Sequence, residues 1–333
     1  MPTKTLRIPT ADGQADAFAA FPDLGERHPG VLIYTDAFGV RPVLREMAGE
    51  LAGHGYYVLV PNIYYRHGTA PVTELPEHIG EEIRPAVIAK LMPLIEAHTT
   101  EQILRDADAY LRFLTAQPEV SAGPAAVIGY CIGAALAMRT AAAHPGQVAA
   151  VAGFHPGFLV TNAPDSPHRL IPALTAEVHL GLSENDMRQE AISELNQALD
   201  AAGVGYTTEI YPGTIHGYTM SDTDAFNSSA LQRHWDRLLP LLDRTLARRP
   251  LGEGLRGIWP LSHCKTCGSP EVRSLRATDH ASAPTTSAST PTSSSGWWAV
   301  PSSAARWSAV RWSAARWSAV PWWAARWSAV PSW

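Results

Sequence analysis

Gly129-Tyr130-Cys131-Ile132-Gly133 follows the apolar run at 125–128 and leads into a helix-forming stretch at 134–139. The pattern is strand, Gly-x-nucleophile-x-Gly, helix. A strand that reverses directly into a helix needs a sharp turn. Its central residue takes strained backbone, and the flanking positions leave no room for side chains. Cys131 stands at the centre, where serine is the usual residue. A thiol at a helix N-terminus has its ionised form stabilised by the helix dipole and by unpartnered N–H groups. A buried structural cysteine in the same turn is the plainer alternative, and the rest of the chain decides between them.

Short β-rich runs recur at 31–34, 57–60, 148–152, 176–182 and 207–211. They are nearly all apolar with little alternation, as in strands covered on both faces. Helices are expected at 43–53, 81–97, 101–116, 132–143, 187–202 and 223–248. The 101–116 segment places Ile103, Leu104, Ala107, Tyr110, Leu111 and Leu114 on one stripe. Ahead of these elements, 4–9 and 14–22 flank Asp12-Gly13, a hairpin turn signal. The alternation predicts an α/β fold, a doubly wound and mostly parallel sheet. Ligands of such sheets bind at the C-terminal strand ends, and Cys131 falls at one. The stretch 61–80, with Pro61, Gly68, Pro71 and Pro76, reads as a surface loop near those ends, a pocket wall or lid.

The character changes near residue 250. Residues 1–249 read as one α/β domain, and 250–333 as a low-complexity Ser/Pro/Trp-rich tail. The tail holds a Ser/Thr/Pro/Ala tract at 282–295 and, from Trp297, a repeating five-residue unit built on Trp, Ser, Ala, Val and Arg or Pro. A period of five matches neither helix nor strand, so the tryptophans cannot share one face. Disorder is expected there, with an interfacial or partner-binding segment as the functional alternative. Cys264 and Cys267, beside His263, have half the ligands of a zinc knuckle and no second pair follows. No metal or other cofactor is expected.

The formal net charge of −5, without a clustered basic face, argues against nucleic acid as a partner. Three cysteines are too few for a disulfide framework. No apolar stretch approaches the roughly 20 residues of a membrane span. Residues 1–7 lack the apolar core of a secretory signal. A cytoplasmic protein is expected, monomeric or a small homo-oligomer.

A nucleophile needs a base, and the base needs an orienter. In α/β hydrolases they occur in the order nucleophile, acid, histidine. The run at 176–182 is followed by Ser183-Glu184-Asn185-Asp186, and the run at 207–211 by Pro212-Gly213-Thr214-Ile215-His216-Gly217. Asp186 is placed to accept Nδ1–H of an imidazole, and His216 to take the Cys131 proton. Asp186 also reads as a helix N-cap, and Glu184 is a rival acid. His144, His155 and His179 are rival bases; His155, in Gly153-Phe154-His155-Pro156-Gly157, sits where it borders a pocket. The oxyanion site combines the Ile132 N–H with one from the loop after 31–34, where Ala37 is the candidate.

Together Asp36-Ala37-Phe38-Gly39, Pro61-Asn62-Ile63-Tyr64-Tyr65-Arg66, the Cys131 pentapeptide, Asp186 and His216-Gly217-Tyr218 resemble the dienelactone hydrolase family. These are cysteine members of the α/β-hydrolase fold, and the resemblance covers about residues 1–248. It implies hydrolysis of an enol lactone, typically carboxymethylenebutenolide, or of a related small-molecule ester. The reaction passes through a thioester on Cys131. An acyltransferase or a catalytically silent ligand binder on the same fold is the alternative. Two departures stand out. The family commonly carries Glu where this chain has Asp36; that carboxylate is thought to hold the resting thiol, and the shorter Asp36 alters or loses this gating, or only caps the loop. An Arg that grips the substrate carboxylate a few residues past the histidine is missing from Tyr218-Thr219-Met220-Ser221. Arg66 or Arg84 is the substitute, unless each is a surface charge. Phe38, Tyr64, Tyr65 and Phe154 wall an apolar pocket or belong to the core.

Overall fold

The apolar runs become strands buried on both faces, and the model that describes them is a computed structural model covering residues 1–23 and 25–246. The expected boundary near 250, the tail and the Cys264–Cys267 pair lie outside the described residues. The strands are β1 (Thr3–Thr10), β2 (Gly13–Ala20), β3 (Gly30–Tyr34), β4 (Tyr57–Pro61), β5 (Ala125–Tyr130), β6 (Val148–Phe154), β7 (Glu177–Leu182) and β8 (Tyr206–Ile210). The helices are α1 (Pro42–Gly53), α2 (Arg84–Ala97), α3 (Thr100–Thr115), α4 (Ile132–Ala143), α5 (Gln189–Ala202) and α6 (Ser228–Leu246).

One sheet takes all eight strands in the order β1-β2-β4-β3-β5-β6-β7-β8. The hairpin strands β1 and β2 are antiparallel additions; β4, β3, β5, β6, β7 and β8 run parallel. This is the mixed, mostly parallel α/β sheet expected. Every position of β3, β4 and β5 is buried. Alternate residues of β5 enter opposite layers. Ala125 and Val127 pack with α3, α4 and α5 through Leu114, Met138 and Leu195. Ala126, Ile128 and Tyr130 pack with α1 and α6 through Leu44, Leu238 and Leu241. Covering both faces explains why the strands show no polar alternation.

Helix boundaries follow local chemistry. Thr99 and Gln102 form a reciprocal capping box at the start of α3. Helix α6 begins at Ser228, not near 223, because Asn227 Oδ1 accepts the Ala230 N–H at 3.0 Å and caps the first turn. Helix α2 buries only Val87 and Leu91 of its length. At the far edge β8 is short, and Glu209 on it pairs with Arg233 and Arg237 of α6.

Under α6 the core contains histidines. His234 is fully buried with Nε2 3.0 Å from the Tyr130 hydroxyl. His179, buried in β7, lies 3.4 Å from the Tyr211 hydroxyl. Burial, followed by the neighbouring His179, lowers the His234 pKa to about 3. Burial likewise lowers His179 to about 4. Both are neutral when folded, whereas in the unfolded chain they take protons near pH 6.5. The unfolded state therefore binds more protons below pH 6.5, and folding stability falls with pH down to about 4 for His179 and about 3 for His234. Each contributes a slope of about 1.4 kcal/mol per pH unit inside its window. Denaturant unfolding at pH 7 and pH 5 is expected to show a marked loss at pH 5. In His234→Phe the slope between the two pH values should be shallower.

Candidate active site

Parallel strands bring their C-terminal ends to one edge, and each expected site residue lies on the segment that leaves such an end. Cys131 follows β5 with φ 55° and ψ −119°, strained backbone for a residue with a side chain. Its flanks explain why it is tolerated. A Cβ on Gly129 would lie 2.1 Å from the Gly133 carbonyl oxygen, and one on Gly133 2.5 Å from the carbonyl oxygens of Tyr34 and Thr35. The Cys131 N–H donates to Phe154 O at 3.1 Å, and its carbonyl accepts from Gly157 N at 3.0 Å. The turn is therefore tied to β6 and the loop beyond it.

His216 Nε2 lies 3.0 Å from Cys131 Sγ, and His216 Nδ1 lies 2.6 Å from Asp186 Oδ1. Asp186 is fully buried at its side chain. Its other oxygen accepts the Ser183 N–H at 2.6 Å. It does not cap α5, whose N-cap is Arg188. Glu184, the rival acid, accepts from Gly213 N instead. Asn185 Oδ1 accepts the His216 N–H at 2.9 Å and the Ser183 hydroxyl at 2.9 Å, so the loops after β7 and β8 are stitched together. Burial alone would lower the His216 pKa. The Cys131 charge first, then the hydrogen bonds from Asp186 and Cys131, raise it to about 10.

His155 is the rival base that the structure brings near. It is fully buried at φ 37°, its ring 5.3 Å from that of His216 and nearly perpendicular to it. Its Nε2 lies 2.8 Å from Thr219 Oγ1. Burial, then the neighbouring His216 and the Arg84 charge, holds its pKa well below the ordinary value. A neutral imidazole thus packs against one that favours its proton.

The loop after β3 carries the remaining residues. Asp36 does not bond to the sulfur. Its Oδ1 accepts from Phe38 N at 3.0 Å, and both its oxygens accept from Arg41, at 2.6 and 2.9 Å. Loop capping and an ion pair account for this carboxylate, where thiol gating was the other reading. The Tyr64 hydroxyl donates to Ala37 O at 3.0 Å, and burial, then the charges of Asp36 and Cys131, keeps that phenol protonated. Ala37 and Ile132 are buried beside it. Phe38 packs with Ile79, Val87 and Leu91. Phe38, Tyr64, Tyr65 and Phe154 are all buried side chains, the core alternative for each of them.

Arg66 is held elsewhere. It bonds Asp12 at the β1–β2 turn and Asp106 of α3, and Asp106 also accepts from the Tyr65 hydroxyl. Its guanidinium is engaged in that network, where the sequence offered it as a substrate contact or as a surface charge. Arg84 lies at the cluster: its Nη2 donates to the His216 carbonyl at 3.1 Å. Among the described residues no carboxylate pairs with it. Sequence reasoning missed Arg41, Asp222 and Asn185. Only Asn185, inside the segment that carries Asp186, had a signal to find.

A sulfur on a strained strand-to-helix turn, an imidazole against it and a buried carboxylate behind that imidazole define an α/β hydrolase by fold and layout. The dienelactone hydrolase family matches residues 15–246, and the chain belongs to that family, a family of hydrolases acting on lactones and esters. The carboxymethylenebutenolidase of Rhodococcus opacus is 27% identical over 226 residues, covering 65% of this chain and 81% of that protein. The crystal structure described as "Putative Dienelactone Hydrolase" from Klebsiella pneumoniae subsp. pneumoniae superposes with a TM-score of 0.64 at 21% identity, over 73% of this chain and 98% of that one. A dienelactone hydrolase-like promiscuous phosphotriesterase from metagenomic libraries gives a TM-score of 0.60 at 22% identity, over 74% and 99%. These two likenesses concern the fold. Among the described residues, no helix is long and apolar enough to cross a membrane.

The turn depends on the absence of side chains at its flanks. Gly133→Ala is expected to cost about 3 kcal/mol or more, because backbone carbonyls rather than flexible side chains meet the new methyl. Thermal unfolding compared with Gly49→Ala, a helical glycine whose site is open and whose φ is not positive, checks this.

Proposed function

We propose that the chain opens a lactone or ester by acyl transfer to Cys131, with His216 as base and Asp186 as its orienter. The observation that carries this reading is the continuous contact from Sγ through the His216 ring to Asp186, at 3.0 and 2.6 Å, on the strained turn. His216 Nε2 takes the thiol proton, and Sγ attacks the carbonyl carbon. The negative oxygen that forms faces the Ile132 and Ala37 N–H groups; Ile132 opens α4 and has no carbonyl one turn before it. The C–O bond breaks, and the leaving oxygen takes the proton back from His216. A lactone leaves both ends of the product on one molecule, joined through the thioester. Water, losing a proton to His216, then attacks the thioester and frees the thiol.

The raised His216 pKa supports this division of labour, since it makes the imidazole a strong acceptor for the thiol proton. Fixed hydrogen bonds on its other nitrogen and on its backbone N–H keep the ring in place through both half-reactions.

For the substrate, the reading is an enol lactone bearing a carboxylate, of the kind named for the Rhodococcus relative. Arg84 is the side chain we assign to that carboxylate. It is half-buried, touches the backbone of His216 and has its charge unmatched by a neighbouring acid. A guanidinium suits a planar carboxylate by two parallel hydrogen bonds.

Cys131→Ala is expected to abolish hydrolysis of a lactone and ester panel with the thermal midpoint retained. Intact-mass analysis of the wild type during turnover should show a transient acyl adduct. Undiminished hydrolysis by Cys131→Ala would falsify the nucleophile assignment. His216→Ala should lower kcat by on the order of 10³. Arg84→Met should raise KM for a carboxylate-bearing lactone about tenfold or more while leaving KM for a neutral ester near the wild-type value. Equal KM changes for the two substrates would remove Arg84 from the substrate site.

A further inference from the structure

Arg41 precedes Pro42 at the start of α1, and its side chain is 4% exposed. A guanidinium has five N–H donors, and here each has an acceptor. Nη1 reaches Asp36 Oδ1 at 2.6 Å and Gly39 O at 3.4 Å. Nη2 reaches Asp36 Oδ2 at 2.9 Å and Asp222 Oδ1 at 3.1 Å. Nε reaches Asp222 Oδ2 at 2.5 Å. Two carboxylates, 186 positions apart by residue number, are thus both gripped in two-pronged fashion by one planar group.

What the two carboxylates are attached to gives the arrangement its meaning. Asp36 begins the loop after β3, and its Oδ1 also holds the Phe38 N–H. Ala37 lies between these two, and its carbonyl is fixed from the other side by the Tyr64 hydroxyl. The Ala37 N–H has little freedom to turn. Asp222 lies on the loop after β8, six residues past His216. Met220 N donates to Gly217 O, and Asn227 N to Tyr218 O, so this loop is folded tightly on itself. The Asp222 carbonyl further accepts from Ile79 N, which brings in the segment before α2.

We propose that Arg41 is a positioning residue: it locks the loop carrying the Ala37 N–H to the loop carrying His216, so that oxyanion donor and base keep one spacing. This rests on the hydrolase reading above. The cost of misplacement is steep, because a shift of about 1 Å in a reacting group can remove on the order of 10² in rate. Lysine cannot replace the group. It carries the charge but offers a point donor without the planar fork.

The test uses two reactions of the same sulfur. Alkylation of Cys131 by iodoacetamide needs the thiol–imidazole contact and no oxyanion donor. Ester hydrolysis needs both. Arg41→Lys is expected to lower kcat by about 10- to 100-fold with KM within threefold. Alkylation, followed on the Cys131-bearing peptide by mass spectrometry, should stay within threefold of wild type. Asp222→Asn, at a side chain 18% exposed, should act in the same direction to a smaller extent and carries the test if Arg41→Lys does not fold. A kcat within twofold of wild type in both variants overturns the proposal. So does a parallel fall of kcat and alkylation, the mark of general loosening. Cys131→Ala runs alongside: if it hydrolyses the ester as the wild type does, the hydrolase reading falls and this inference with it. If only the Arg41 and Asp222 variants disappoint, the hydrolase reading stands.

Discussion

The strained turn at Cys131 is the constraint on which the site depends. A residue with a side chain is held at φ 55° because glycine on either side lets helix α4 begin almost inside β5 and against β3. That close approach fixes three things together. The sulfur is set between the end of β5 and the start of α4. Helix α4 begins at the residue directly after Cys131. The loop after β3 is brought within reach of the same point. Strain of this kind costs about 1–3 kcal/mol and persists only where surrounding contacts over-determine it. Here the Cys131 N–H and carbonyl are both bonded to the β6 side of the sheet.

Electrostatics divides the histidines into two kinds within a short distance. His216 has an acid behind it and a sulfur before it, and it holds its proton strongly. His155, 5.3 Å away between ring centres, has a hydroxyl on one nitrogen and burial all around, and it sheds its proton. Two protonated imidazoles so close would repel, and burial of the second removes that conflict. The arrangement relies on placing carboxylates unequally. Asp186 is committed to His216, whereas Asp36 is committed to Arg41 and leaves the sulfur to the imidazole.

How much was legible in the sequence follows from where each signal lay. Cys131, Asp186 and His216 were readable because each follows an apolar run, and parallel strands bring such positions to one edge regardless of loop detail. The central sheet was readable for a related reason, since strands such as β3 and β5 are buried on both faces and show no alternation. The start of α6 was misplaced because Asn227 caps it from within a segment that already looked helical. The ion pairs of Arg66 were not legible because its partners, Asp12 and Asp106, come from the hairpin and from α3, and only packing unites them. Arg41 and Asp222 were invisible for the same reason: a pairing across 181 residues leaves no periodic trace.

An open sheet must end somewhere, and at β8 the end is guarded. The outermost strand has only five residues, and Glu209 on it is clasped by two arginines of the covering helix, while Glu177 on the neighbouring strand is clasped by Arg244. A brief, charged border offers a poor template for a stranger's backbone. The margin of the sheet thereby carries its own defence against pairing with another chain.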